Sequence, residues 1–212
     1  HCELATFVDE DLPMRWVDVV RPVGARVVPD EWLSEQLREP CGDIVFEGAQ
    51  GVLLDEHVGF HPHTTWSDCS ARAAMALLRA HGYGGAVKRV GVLRAYLTRH
   101  GEGPFPTEMP QLAPKLLEPH NHGAGWQGIF RVGYPDLVLS RYAVRVSGGV
   151  DMLALTHIDR LVPVHRIAVA YDGTSDETFF VRDAHGRVID LRQGDLAHQE
   201  RLGKALQTVC PV

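Results

Sequence analysis

The sequence predicts an α/β fold with a mostly parallel central sheet flanked by helices, closed by a C-terminal β-hairpin and helix. Three observations carry this. Residues 152–156 (MLALT) form an apolar run, the kind that parallel strands buried on both faces contain. Helical stripes stand before it in the chain: Ala71, Ala74, Met75 and Leu78, then Val138, Tyr142 and Val146. After it, residues 178–181 and 187–191 flank Asp183-Ala184-His185-Gly186 as a hairpin, followed by a helix over 197–207 packing Leu202, Ala205 and Leu206.

In chain order, residues 1–42 form an N-terminal segment of unclear role, with a solvated acidic run at Asp9-Glu10-Asp11 and a β-leaning stretch at 16–20. Pro29-Asp30 starts a short helix over 31–38 with Trp32, Leu33 and Leu37 at helical spacing; Pro40 and Gly42 end it. The α/β domain then runs over 43–212. It begins with an apolar strand at 44–46 that breaks into a loop bearing Gly48, Gly51, Gly59 and Pro62. Thr64-Thr65-Trp66-Ser67 opens a helix reaching about residue 81, with Ser67 or Asp68 as its N-cap. Residues 87–96 read as a strand. The stretch from 98 to 128 is too rich in Gly and Pro for regular structure, apart from a turn of helix near 112–117. Pro135-Asp136 starts a helix that Gly148-Gly149 closes, and 165–171 gives a further strand.

The 212 residues suffice for one good core, and the hydrophobic share of 45% with 23% charged residues is that of an ordinary globular protein. A formal net charge of −6 argues against a nucleic-acid groove or an anionic membrane surface as partner. No apolar run approaches the ~20 residues of a membrane span. Cys2, Cys41, Cys69 and Cys210 make no CxxC pair, which suits reduced thiols in the cytoplasm. The first residue is His1, so the start of the gene product is expected to lie upstream.

A buried strand ending in a Gly-loop is how α/β proteins present polar groups to a ligand. Here the loop offers Gln50 and Thr65. Gln50 either contacts a ligand or satisfies loop backbone; Thr65 either meets a phosphate or caps a helix. His57, His61 and His63 form an H-x-x-x-H-x-H group, which reads as a pocket-lining or surface cluster ahead of a metal site, since no Glu stands at metalloprotease spacing.

Four blocks carry a resemblance: 46–55 (FEGAQGVLLD), 94–108 (RAYLTRHGEGPFPTE), 133–144 (GYPDLVLSRYAV), and 153–159 (LALTHID) with Val169-Ala170-Tyr171. In this order they resemble the adenylosuccinate synthetase family, in its short archaeal and phage-like branch. The resemblance implies a C–N ligase portion that binds a purine nucleoside monophosphate for NTP-dependent amination by aspartate or a similar amine. Its alternative is a non-catalytic nucleotide-binding pseudoenzyme or subunit; metal-dependent hydrolysis by the His cluster is a third reading. Carried over by position, Gln50 is implied as catalytic and substrate-binding, and Thr65, His100, Gly125, Gln127 and Arg131 as substrate-binding. Asp159 matches the guanine-reading Asp, with His157 where the family has Lys. Asp159 could equally be a solvated strand-end carboxylate, and Arg131 either an anion contact or a structural arginine.

The family's GDEGKGK phosphate loop has no counterpart before Asp43. The resemblance therefore implies Mg²⁺ with GTP or ATP, its ligands outside this chain, and no full reaction by this chain alone. It also implies a homodimer, or a heteromer with a phosphate-loop segment, since an uncovered sheet edge or apolar face would remain.

Overall fold

The computed structural model describes residues 8–24, 26–38, 42–116, 121, 124–125, 128–160 and 166–212. The chain divides into two compact units, residues 1–44 with 79–83, and residues 45–78 with 84–212.

The first unit contains helices α1 (Leu12–Val20) and α2 (Asp30–Arg38). The β-leaning reading of 16–20 is corrected here, because these residues are the second half of α1. Pro13 sits in the first turn, where its fixed φ favours a helix and its missing N–H costs nothing. That local start outweighs the β preference of Val17, Val19 and Val20. On α2, Leu37 is buried, and the Ser34 hydroxyl lies 2.7 Å from Nδ1 of His81.

The second unit holds the sheets. Strands β1 (Val90–Arg94) and β5 (Met152–Thr156) pair in parallel, with Val90 opposite Met152 and Arg94 opposite Thr156. Strands β2 (Leu97–His100), β4 (Gly128–Gly133) and β3 (Ala124–Gly125) form an antiparallel sheet in the order β2-β4-β3. A third, antiparallel sheet runs β7-β8-β6-β9, from β6 (Tyr171–Asp172), β7 (Phe180–Arg182), β8 (Val188–Leu191) and β9 (Cys210–Pro211). The α/β class, the parallel strand at 152–156, the hairpin and the C-terminal helix are all borne out.

Several local expectations change. Residues 44–46 form no strand, and Val45 is 82% exposed; a run of three apolar residues without a neighbouring ladder has nothing to hold it extended. Helix α3 (Arg72–Ala80) starts later than expected. Asp68 spends its Oδ1 on the backbone N–H and hydroxyl of Ser70 in a turn, and Ser70 Oγ accepts the N–H of Arg72 instead. The Gly-rich stretch expected to be irregular contains β2, β3 and the start of β4, while the turn of helix expected near 112–117 is present as the short helix α4 (Ala113–Leu116). Of the expected strand at 165–171, only Tyr171 enters a named strand, while Ala168 makes an isolated bridge to Asp136; residue 165 lies outside the described residues.

The main core lies between helix α5 (Leu137–Val146), helix α6 (Leu196–Ala205) and the C-terminal sheet, where Val138, Tyr142, Tyr171, Val188, Leu191 and Leu202 are all fully buried. Asp136 caps α5 by accepting the N–H groups of Val138 and Leu139, both at 3.0 Å. Its other oxygen accepts the Tyr171 hydroxyl at 2.5 Å, which ties the helix start to β6. A smaller cluster of Tyr96, Leu112, Leu116 and Val132 packs α4 onto β4. The β1–β5 pair is different. Val92 is 67% exposed on one face, and Leu153 and Leu155 are 56% and 53% exposed on the other.

Candidate functional site

The loop from 50 to 70 is organised from inside by Asp55, a fully buried carboxylate. One oxygen accepts the N–H groups of His57 (2.8 Å) and Val58 (3.1 Å); the other accepts those of Cys69 (2.9 Å) and Arg72 (3.3 Å). Residues 14 apart are thereby closed around one side chain. Desolvation pushes the Asp68 carboxyl up, but hydrogen bonds from Arg72 and Ser70 outweigh it and hold it at about 2.

From outside, the loop is gripped by the core. Tyr142 donates its hydroxyl to the Val58 carbonyl (2.6 Å), and the buried Gln199 amide donates to Val58 and Gly59 carbonyls (2.8 and 3.1 Å) and to Tyr142 Oη (2.8 Å). Gly59 is obligatory there, because a Cβ would stand 2.6 Å from the Asp55 carbonyl and 2.7 Å from that of Leu53. The peptide between His61 and Pro62 is cis. A loop held from both sides is a rigid platform for what it carries.

Thr65 donates its backbone N–H to the Leu54 carbonyl (2.7 Å), and it precedes α3 by seven residues, so it is not at a helix start. Its neighbour Trp66 is 96% exposed. His61 donates to the Glu56 carbonyl (2.6 Å), and His57 lies 3.5 Å from the Glu56 carboxylate. Among the described residues, no group of three or more His, Cys, Asp or Glu side chains stands ready for a metal ion.

Gln50 is exposed and has φ of 65°; His157 has φ of 59°. Among the described residues these are the only two non-glycine positions in the left-handed region. Such a backbone costs an L-residue roughly 1–2 kcal/mol and is retained where the surrounding structure imposes it. Gln50→Gly is therefore expected to melt no lower than the unsubstituted chain in a thermal denaturation, because relief of strain offsets the added freedom of glycine. A loss of more than about 1 kcal/mol would contradict that reading.

His157 follows the C-terminal end of β5, with Nδ1 3.0 Å from the Thr156 hydroxyl and its ring edge-on to the buried Tyr96 at 5.8 Å. Asp159 lies in the following turn, with a 76% exposed side chain and an ion pair to Arg160 at 3.1 Å. Tyr96 in turn leads directly into β2, which carries His100.

His100 stands opposite Phe130 on the β2–β4 ladder, rings 5.0 Å apart. Arg131 is heavily engaged within the chain. Nε and Nη2 fork onto the Glu108 carboxylate (2.9 and 2.5 Å), and Nη1 donates to the carbonyls of Gly101 and Gly103, both at 3.0 Å. That fork holds the Glu108 carboxyl below its usual range. Gly125 pairs with Gly128 at the tip of β3–β4, and Gln127 lies outside the described residues. Through Arg99, which donates to the His63 carbonyl (3.0 Å), the 61–65 loop meets the β2–β4 turn. Arg131 and the Thr65 loop thus meet on the Arg99 face of β2–β4, His100 projects with Phe130 to the opposite face, and His157 and Asp159 stand at the end of β5. Sequence reasoning missed Asp55, Gln199 and Glu108.

An α/β framework that displays polar and strained residues on loops beyond its strands is the framework of a ligand-binding α/β protein. The family model for adenylosuccinate synthetase matches residues 13–204, and the chain belongs to that family. The adenylosuccinate synthetase of Symbiobacterium thermophilum is 42% identical over 176 residues, covering 78% of this chain and 39% of that protein. That of Thermotoga maritima is 43% identical over 129 residues, covering 59% of this chain and 32% of its own. A solved structure of fully ligated adenylosuccinate synthetase from Plasmodium falciparum shares the fold, with a TM-score of 0.64 at 22% identity over 99% of this chain and 47% of that one. This chain spans less than half the length of each of these relatives.

Proposed function

We propose that this chain is the portion of an adenylosuccinate-synthetase-type C–N ligase that binds a purine nucleoside monophosphate, for amination by aspartate or a similar amine at the expense of GTP or ATP. The observation that carries the reading is the coincidence of strain and position. Gln50 and His157 hold left-handed backbones, and both fall on blocks that match the family. Gln50, on its rigid loop, would read polar edges of the purine and take part in the chemistry. Thr65, His100, Gly125, Gln127 and Arg131 would line the substrate, and Asp159 with His157 the nucleotide triphosphate base. A carboxylate at Asp159 accepts two adjacent N–H donors, a pattern guanine presents and adenine does not.

The donor set among the described residues does not fit a magnesium site, since no three such side chains converge. Magnesium and the triphosphate chain would be held by polypeptide outside these 212 residues. The open faces of β1–β5, with Val92, Leu153 and Leu155 exposed, support a partner segment or a second copy of the chain as cover. Reduced thiols at Cys69 and Cys210 suit a cytoplasmic setting. No helix among the described residues is long and apolar enough to cross a membrane.

Equilibrium titration with IMP, GMP, dGMP, GTP and ATP, read as melting temperature, tests the reading. A monophosphate is expected to raise the melting temperature by mass action, and Gln50→Ala to weaken that response about tenfold. A chain that responds to none of the five contradicts it.

A further inference from the structure

The ring of His157 is held on two sides. Its Nδ1 lies 3.0 Å from the Thr156 hydroxyl, and the ring stands edge-on to buried Tyr96, centroids 5.8 Å apart. Both contacts are made from the left-handed backbone, φ 59°, that follows β5.

The Thr156 hydroxyl decides which ring nitrogen carries the proton. It donates to the Leu93 carbonyl on the neighbouring strand β1, at 3.1 Å. A carbonyl oxygen can only accept, and a hydroxyl has a single proton to give. Were that proton given to Nδ1 instead, two acceptor oxygens would face each other at 3.1 Å. With the proton on the Leu93 side, the hydroxyl lone pairs are left for a donor, and Nδ1–H is that donor. Thr156 is itself fixed through its backbone, since its carbonyl accepts the N–H of Ala95 at 2.9 Å. In the neutral ring Nε2 is then a bare acceptor, and among the described residues it has no hydrogen-bond partner.

We propose that Thr156 is a positioning residue: it holds the neutral His157 ring as the Nδ1–H tautomer and so presents Nε2 as an acceptor to an N–H donor of a bound purine base. The identity of that donor rests on the nucleotide reading; the tautomer does not. Where the family has Lys, a side chain with three donors and no acceptor, His157 reverses the polarity of the contact. Lysine attracts an acceptor such as a ring carbonyl oxygen, whereas Nε2 attracts an amino group or a ring N–H. Asp159, two residues on, brings a carboxylate, an acceptor as well.

Nitrogen NMR of the chain isotope-labelled in its histidine rings tests this, at mildly alkaline pH where an imidazole is neutral, with the His157 signals assigned by their loss in His157→Gln. The parent chain is expected to show His157 as the Nδ1–H tautomer alone. Thr156→Val, which keeps a branched side chain suited to a strand and removes the hydroxyl, should release the ring to a mixture dominated by Nε2–H, the form a free imidazole side chain prefers. Thr156→Ser should restore Nδ1–H. GTP should move the Nε2 resonance of the parent and bind about tenfold more weakly to Thr156→Val. A parent ring that is Nε2–H or mixed overturns the proposal, whether or not Thr156→Val folds. An unchanged tautomer in folded Thr156→Val, or GTP that binds and leaves Nε2 unmoved, overturns it too. A fixed Nδ1–H ring in a chain with no nucleotide response supports the role of Thr156 and removes the nucleotide reading; a nucleotide response with a mixed tautomer does the reverse.

Discussion

Replacing Asp55 by alanine is expected to cost about 2–4 kcal/mol of folding stability, because it leaves one buried and two part-buried backbone donors without their acceptor. Three backbone N–H groups, from His57, Val58 and Cys69, converge on this fully buried carboxylate. Each donor left unsatisfied in the interior costs about 1–3 kcal/mol. Arg72 adds little to the sum, since its side chain is 49% exposed and it keeps Asp68 at 2.6 Å. Asp55→Asn preserves one acceptor oxygen and should lose roughly half as much. Urea denaturation of the three chains at one pH checks this, and an Asp55→Ala variant within about 1 kcal/mol of the parent would contradict it. The loop that carries Thr65 should also become labile to proteolysis at native conditions, since Gly59 can no longer rely on an anchored Val58.

Acidification should stabilise the fold through Asp136 while most other carboxylates act the opposite way. Burial raises the Asp136 carboxyl to about 6, although hydrogen bonds from Tyr171, Leu139 and Val138 pull it back in part. A group whose folded pKa lies above its unfolded value contributes stability that is fully present below the unfolded pKa. That contribution is lost as pH rises through the folded pKa, here between about 4 and 6. Raising the carboxyl from its ordinary value to about 6 corresponds to roughly 3 kcal/mol. Asp68 and Glu108, whose carboxyls are held low by Arg72 and Arg131, contribute above their unfolded pKa values and lose it on acidification. The stability difference between the parent chain and Asp136→Asn, which keeps an N-cap acceptor, isolates the Asp136 part. It should grow in the parent's favour from pH 7 to pH 4. A pH-independent difference would show that Asp136 stays charged throughout.

The elements legible in the sequence were those with strong local signals. Pro135-Asp136 announced α5, and the Asp side chain does cap it. The Asp183–Gly186 turn announced the β7–β8 hairpin, and Asp183 does accept the N–H groups of His185 and Arg187. The run at 152–156 announced the parallel strand but not its setting, because a composition that suits burial on both faces does not say which polypeptide supplies the cover. Strand β4 hid among glycines, since its partner β2 lies about 30 residues upstream and only pairing makes it a strand. The site was half legible. Motif blocks pointed to Gln50 and His157, yet the left-handed backbone at both is set by surrounding structure. Arg131 was readable as a cation, but its fork on Glu108 spans 23 residues and no local pattern marks it. Gln199 lies 141 residues from the carbonyl it serves, which places it beyond any local reading.

The most direct test of the account is an amide map: two-dimensional NMR of the isotope-labelled chain titrated with the monophosphate that raises its melting temperature most. Shift changes are expected to concentrate at Gln50, Thr65, Gly101–Gly103, His100 and Arg131, with Gln50→Ala blunting all of them together. Binding that moves amides elsewhere, and leaves this set unmoved, would contradict it.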